Sequence, residues 1–248
     1  MTELVTAEET VLEVRGLAKS YPVDGGTREV IADVGFAVAA GEIATIVGPS
    51  GAGKTTLLRC MAGLLRPTGG DVLLDGVPVT EPPERLAVVF QDYSRSLFPW
   101  MSARHNVELP LRGKGVGRGE RRERAEAALD DVGLAGCGEL YPWQLSGGMQ
   151  QRVAIARALA YRPEALLMDE PFASVDAQTR ADLEDLVLDL RARLGITVVL
   201  VTHDIDEAVY LGDLVVVLGG SPTTVDTSLR VPLGRARDQL HTKARPEF

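Results

Sequence analysis

Short runs of β-branched and aliphatic residues recur along the chain at Val11–Val14, Ile43–Val47, Asp71–Leu74, Leu86–Phe90, Ala165–Met168, Thr197–Val201 and Leu214–Leu218, and each reads as a strand. Several alternate with segments of helical periodicity, the pattern of a largely parallel sheet covered by helices. Two of those helices are defined by spacing. Ala125, Ala128, Leu129 and Val132 follow i, i+3, i+4, i+7, while Leu183, Leu186, Val187, Leu190 and Leu194 form a stripe closed by Gly195. Both stripes read as core faces. Strand signals stop between Gln91 and Ala160, so that stretch reads as a helical insertion in an α/β host. After Ser221 the prolines, mixed charge and weak periodicity predict a short strand or an irregular packed tail. No repeat and no Ser- or Pro-rich linker divides the chain. Residues 1–248 therefore read as a single domain, with helices over about 92–160 and a tail over about 221–248.

Composition narrows the class. The 248 residues are 45% apolar and 25% charged, which suits a globular domain and excludes disordered or collagenous chains. The longest apolar runs, Val198–Val201 and Leu214–Leu218, fall far short of the roughly 18 residues a membrane span needs. The opening MTELVTAEET has neither the basic start nor the apolar stretch of a secretory signal. Cys60 and Cys137 are the chain's two cysteines, too few for a disulfide framework. Cytoplasm is the expected compartment, and Cys60 is expected to pack as a small apolar residue. With 26 basic and 35 acidic side chains, the formal charge is −9, which opposes general attraction to nucleic acid. The one basic stretch, Arg112 to Arg124, is interleaved with Gly and Glu and lacks aromatics. It reads as the solvated start of a helix, so no nucleic-acid partner is expected.

One segment carries explicit chemistry. Gly48-Pro49-Ser50-Gly51-Ala52-Gly53-Lys54-Thr55 fits G-x-x-x-x-G-K-[ST], with the run Ile43–Val47 before it and a helical run, Thr56 to Leu65, after it. Glycines let the backbone wrap a phosphate chain and aim successive N–H groups at it, and the following helix adds its positive end. Lys54 supplies a mobile charge for the β- and γ-phosphates, and the Thr55 hydroxyl suits Mg²⁺. A second run, Ala165–Met168, ends in Asp169-Glu170-Pro171. Carboxylates at the C-terminal end of a parallel strand lie on the ligand-binding rim of such sheets. Asp169 can hold the metal's water shell, and Glu170 can orient or deprotonate an attacking water. Between these two motifs, Leu145-Ser-Gly-Gly-Met-Gln-Gln-Arg152 precedes the helical run Val153–Ala160. A Ser and two glycines opening a helix make a second anion-binding N-terminus.

With these motifs in this order, from Val11 to about Leu218, the chain resembles the ATP-binding subunits of ABC transporters. The resemblance implies a P-loop NTPase (RecA-like) core with a mixed sheet, an N-terminal antiparallel β subdomain and a helical insertion subdomain. It implies ATP as the nucleotide, Mg²⁺ as its metal and hydrolysis to ADP and phosphate. Ser50, Ala52 and Thr56 then join the other loop residues as ATP contacts. Tyr21 matches the aromatic that stacks on adenine. Gln91 matches the glutamine that senses Mg²⁺ and links the site to the membrane partner, and His203 the switch histidine that contacts the γ-phosphate and supports Glu170. Asp176 matches the aspartate of the dimer-contacting loop, although Ser174-Val175 replaces the commoner Ala-Leu. In this family two subunits pack head to tail, so Ser146, Gly147, Gly148 and Gln150 would act on the ATP held by Lys54 of the partner. Such a dimer has two-fold symmetry and two composite sites.

Two further segments, Asp92 to Trp100 and Tyr141-Pro-Trp-Gln144, resemble importer ATPases of the nitrate, sulfonate and taurine group. Leu97, Phe98 and Trp100 are then candidates to receive a helix from a transmembrane permease, although burial against the insertion would also explain them. The implied setting is the cytoplasmic face of the cell membrane, beneath permease subunits served by an extracytoplasmic substrate-binding protein. An exporter or lipid-handling ATPase, and a soluble ABC ATPase without a membrane partner, are the other classes the motifs permit.

Overall fold

The computed structural model describes residues 10–91, 96–246 and 248. In chain order the strands are β1 (Thr10–Val23), β2 (Gly26–Ala39), β3 (Ile43–Val47), β4 (Gly69–Leu74), β5 (Val77–Pro78), β6 (Leu86–Val89), β7 (Ala165–Asp169), β8 (Thr197–Thr202), β9 (Leu214–Gly219) and β10 (Thr224–Arg230). The helices are α1 (Lys54–Met61), α2 (Ala103–Arg112), α3 (Arg118–Asp131), α4 (Gly147–Leu159), α5 (Ala177–Leu194) and α6 (Ile205–Leu211).

Two sheets result. The larger runs β10-β9-β3-β8-β7-β6, parallel throughout except at β10, which pairs antiparallel with β9. Buried on both faces, β3, β7 and β8 read as unbroken apolar runs, the expected signature of covered parallel strands. Their side chains still alternate between two cores. Ala44, Ile46, Leu167, Val199 and Val201 face α1 and the smaller sheet. Ile43, Leu166, Met168, Val198 and Leu200 face the opposite way, into a core with Leu183, Val187 and Leu190 of α5 and with the helices that follow β6. The smaller sheet, β2-β1-β4-β5, is antiparallel.

Several boundaries differ from the sequence reading for identifiable reasons. Strand β2 left no clear signal, because most of its residues are exposed or half-buried and its alternation is broken by register shifts against β1. Helix α1 begins at Lys54 and ends at Met61, earlier at both ends than the apolar run suggested. Helix α4 begins at Gly147, because the Ser146 side chain accepts from the Met149 N–H and caps it. The basic stretch divides: Arg112 closes α2, Lys114 lies in the connection, and Arg118 to Arg124 form the first turns of α3, where Arg124 pairs with Glu120 and Arg121 donates to the Val116 carbonyl at 2.6 Å. Cys60 is buried. Among the described residues no helix is long and apolar enough to cross a membrane.

Candidate active site

The order β3-β8-β7-β6 places four strand ends side by side. Each carries one part of the site: Gly48 follows β3, His203 follows β8, Asp169 closes β7 with Glu170 next, and Gln91 lies just past β6. The backbone between β3 and α1 turns tightly. A Cβ at Gly48 would lie 2.8 Å from the Leu218 carbonyl oxygen, and Gly53 has φ +71°; both positions demand glycine. Gly53 caps α1 without a side-chain bond, and no acidic residue occupies the first turn. The N–H groups of that turn, the positive end of the helix dipole and Lys54 therefore favour an anion.

Lys54 is buried, and its Nζ donates to the Gly48 carbonyl at 2.8 Å and the Pro49 carbonyl at 3.1 Å. Its ammonium lies 3.9 Å from Glu170 Oε1. The other carboxylate oxygen of Glu170 meets Gln91 Nε2 at 3.2 Å and His203 Nδ1 at 3.2 Å. Glu170 holds φ +42°, a conformation costly for a residue with a Cβ and concentrated at functional sites. Its N–H is fixed by the Val201 carbonyl at 2.9 Å.

Asp169 is buried, and that burial is the main cause that pushes its carboxyl above the ordinary carboxylate range. Donation from Thr55 Oγ1 at 3.3 Å to Asp169 Oδ1 acts in the opposite direction. A desolvated carboxylate beside a hydroxyl is a hard, oxygen-only donor pair. It fits Mg²⁺, which takes one or two protein oxygens and completes its shell with phosphate and water.

The remaining candidates fall outside this cluster. Tyr21 belongs to β1, which runs on to Val23, well past the Val11–Val14 run that marks the first strand in the sequence. It is partly exposed, with Lys19 Nζ 5.1 Å from its ring centroid, and it pairs with Arg28 of β2. Arg28, Glu29 and Val30 in turn line a crevice of about 250 Å³ with Pro49, Ser50, Gly51 and Ala52. Ser146 and Gly147 stand exposed at the start of α4. A Cβ at Gly148 would meet Thr179 Cγ2 at 2.3 Å, so the starts of α4 and α5 are in contact. Asp176 caps α5, accepting from the Thr179 N–H at 3.0 Å and the Thr179 hydroxyl at 2.7 Å; these bonds hold its carboxyl below the usual range.

Two assignments change. Gln150 directs its amide inward, donating to the carbonyls of Pro142 at 3.0 Å and Leu145 at 3.2 Å. It braces the loop before α4 and does not present itself outward. Leu97 is buried in the helical core, because an apolar side chain beside that core gains more by packing than by facing water. Phe98 is half-buried, and exposed Trp100 packs edge-on against it with centroids 5.3 Å apart. Residues 92–95 of the same loop lie outside the described residues. Sequence reasoning missed the groups that anchor this loop. The fully buried Asn106 accepts from the Phe98 N–H at 2.8 Å and donates to the Phe98 and Met101 carbonyls at 3.1 Å. Arg157 donates to the Ser96 carbonyl at 2.6 Å. A polar residue at a core position of a helix was the available signal, since such groups are buried only when hydrogen-bonded.

A strand, a phosphate-wrapping loop with Lys-Thr, and a carboxylate pair at the end of the next strand but one in the same parallel sheet define a P-loop ATPase. Residues 31–173 match the family model described as ABC transporter, and the chain belongs to that family. It is 48% identical over 232 residues to the taurine import ATP-binding protein TauB of Chromobacterium violaceum, covering 92% of this chain and 87% of that protein. Over 222 residues it is 43% identical to the nitrate import ATP-binding protein NrtD of Synechocystis sp., covering 90% and 83%. Its fold superposes on the ATP-binding cassette MJ0796, solved as a dimer in a post-hydrolysis state bound to ADP and Pi. That match has a TM-score of 0.76 at 34% identity and covers 88% of this chain and 98% of that one.

Proposed function

We propose that this chain is the ATP-hydrolysing motor subunit of an importer in the nitrate, sulfonate and taurine group. The observation that carries the reading is the meeting of Gln91, His203 and Lys54 on one carboxylate, Glu170. Phosphoryl transfer needs little covalent help from protein; it needs an oriented nucleophile and neutralised charge. Glu170 is the group that accepts a water proton as that water's oxygen bonds to the γ-phosphorus and the bond to the β-phosphate oxygen breaks. Products are ADP and inorganic phosphate. Gln91 and His203 hold the Glu170 carboxylate in place, and His203 is positioned to reach the departing phosphate. Lys54 balances charge on the β- and γ-phosphates, while backbone N–H groups from Gly51 to Thr56 cradle the chain. Thr55 Oγ1 and Asp169, with Gln91 as a further candidate, would hold Mg²⁺, which would supply positive charge to offset that of the phosphate oxygens.

Ser146, Gly147 and Gly148 serve the nucleotide of a second copy, giving a head-to-tail dimer with two composite sites. Phe98 and Trp100 face a transmembrane permease, whose solute arrives from an extracytoplasmic binding protein. The working location is the cytoplasmic face of the membrane. The cargo class rests on relatives named for taurine and nitrate import. Glu170→Gln should bind ATP without hydrolysing it and accumulate a dimer by light scattering, and Lys54→Ala should lose hydrolysis. A Glu170→Gln chain that stays monomeric at saturating ATP and Mg²⁺ would overturn the head-to-tail scheme. Recovery of ribosomal proteins in place of a permease from native membranes would overturn the importer assignment.

A further inference from the structure

Immediately before the exposed Ser146 stands an aromatic pair that the monomer leaves in water. Trp143 is 74% exposed and Tyr141 40%. Their rings stack at 6.1 Å with planes 21° apart. The segment is rigid: the Gln144 side chain accepts from the Tyr141 N–H at 2.9 Å, Gln150 ties the Pro142 and Leu145 carbonyls to α4, and Pro142 and Leu145 point inward. Trp143 and Ser146, also three residues apart, are both left on the outside. A large indole held by a braced turn, with its stacking partner in place, loses little entropy on binding a flat ligand.

We propose that Trp143 stacks on the adenine of the ATP bound by the partner subunit, so that each composite site reads its nucleobase from both sides of the dimer. The inference rests on the head-to-tail reading above. There, Ser146 of one copy lies at the γ-phosphate of the other's ATP. Trp143 sits in a 3-10 turn, Pro142–Gln144, with Leu145 extended after it, so the backbone leads back from Ser146 by somewhat less than the roughly 10 Å of three fully extended residues, and the exposed indole adds its own length in the direction of the base. A base presents two π-faces; Tyr21 of the holding subunit is the candidate for one, and Trp143 takes the other. Continuity with the signature segment favours the nucleotide over a membrane subunit as occupant. The pair would thereby make dimer closure sensitive to the base as well as to the phosphates.

The chain has two tryptophans, so Trp143 is the sole indole in a Trp100→Phe, Glu170→Gln protein. Adding ATP and Mg²⁺ should change its emission in step with dimer formation by light scattering. Trp143→Ala in the Glu170→Gln background should raise the ATP concentration for half-maximal dimerisation roughly five- to 150-fold, the range expected for one stacked base. Trp143→Tyr should recover most of that loss. The penalty should be smaller with UTP, whose smaller base stacks less. Dimerisation with unchanged Trp143 emission, or with unchanged ATP dependence in Trp143→Ala, would overturn the proposal. Equal penalties for ATP and UTP would assign Trp143 to a protein contact and overturn it as well. Absence of any ATP-driven dimer would remove the head-to-tail reading, and this inference with it.

Discussion

Replacing Glu207 by glutamine should stabilise this protein, and more so as pH rises. Glu207 lies in α6, buried beside Glu184, Asp204, Arg180 and Thr202. Its Oε1 has no hydrogen-bond partner among the described residues. Burial is the largest influence, followed by the charges of Glu184 and Asp204, and together they push its carboxyl from the ordinary 4.5 up to about 8. The folded chain therefore binds a proton that the unfolded chain releases anywhere between those two values. In that window folding must take up a proton, so stability falls as pH rises and levels off above about 8. Each pH unit costs at most about 1.4 kcal/mol, so pH 6 to 8 costs at most about 2.7 kcal/mol. At roughly 2–4 °C per kcal/mol for a chain of this size, that bounds the shift at about 11 °C in Tm. Glutamine keeps the shape and has no proton to gain. Thermal melts of both proteins at pH 6, 7, 8 and 9, all above the isoelectric point near 4.9, should show the Tm gap widening in favour of Glu207→Gln up to pH 8 and then holding. A gap that is constant across the series, or that narrows with pH, would refute the assignment of a neutral buried carboxyl.

Other expectations are independent of that one. Gly148→Ala must displace Thr179, which its two bonds to Asp176 hold in place. It should cost about 1–3 kcal/mol in a urea titration and loosen the start of α5 in hydrogen exchange. The Arg237 side chain is fully buried, donating to the Tyr210 and Gly212 carbonyls and to Asp213. Arg237→Ala takes this donor from two carbonyls and leaves Asp213 with Arg191 at 3.4 Å and the Ile43 N–H, so urea denaturation should show a loss of about 1–3 kcal/mol; a loss near zero would contradict the packing of the C-terminal tail. Burial raises the Cys60 thiol to about 11, leaving roughly one thiolate in a thousand at pH 8. A thiol reagent should therefore label half-buried Cys137 in the native protein and reach Cys60 only in denaturant.

The motifs lay open in the sequence because their physics is local. A phosphate loop needs glycines, Lys and Thr at fixed spacing between a strand and a helix, and the carboxylate pair needs a strand to end there. All of that lies within a few residues, as does the Gly195 that stops α5 with φ +65°. The parallel strands were equally legible, since burial on both faces writes itself as continuous apolar runs. Strand β2 was not legible: it pairs with one neighbour and leaves much of its surface in water, so its identity comes from partners distant in sequence. The same holds for the site's assembly. Gln91, Glu170 and His203 are separated by dozens of residues, and only the order β8-β7-β6 brings Gln91 and His203 onto the Glu170 carboxylate.

Tertiary contacts also decided which way similar side chains point. Leu97 and Trp100 belong to one apolar loop, yet Leu97 is buried and Trp100 exposed, because Asn106 and Arg157 clamp the backbone between them and the helical core. Gln150 turns inward to brace the turn that holds Trp143 outward. Chemistry that depends on residue type and short spacing is thus fixed by the sequence alone. Orientation, burial and the meeting of remote strand ends depend on competition for the same core, and only the folded chain resolves that competition.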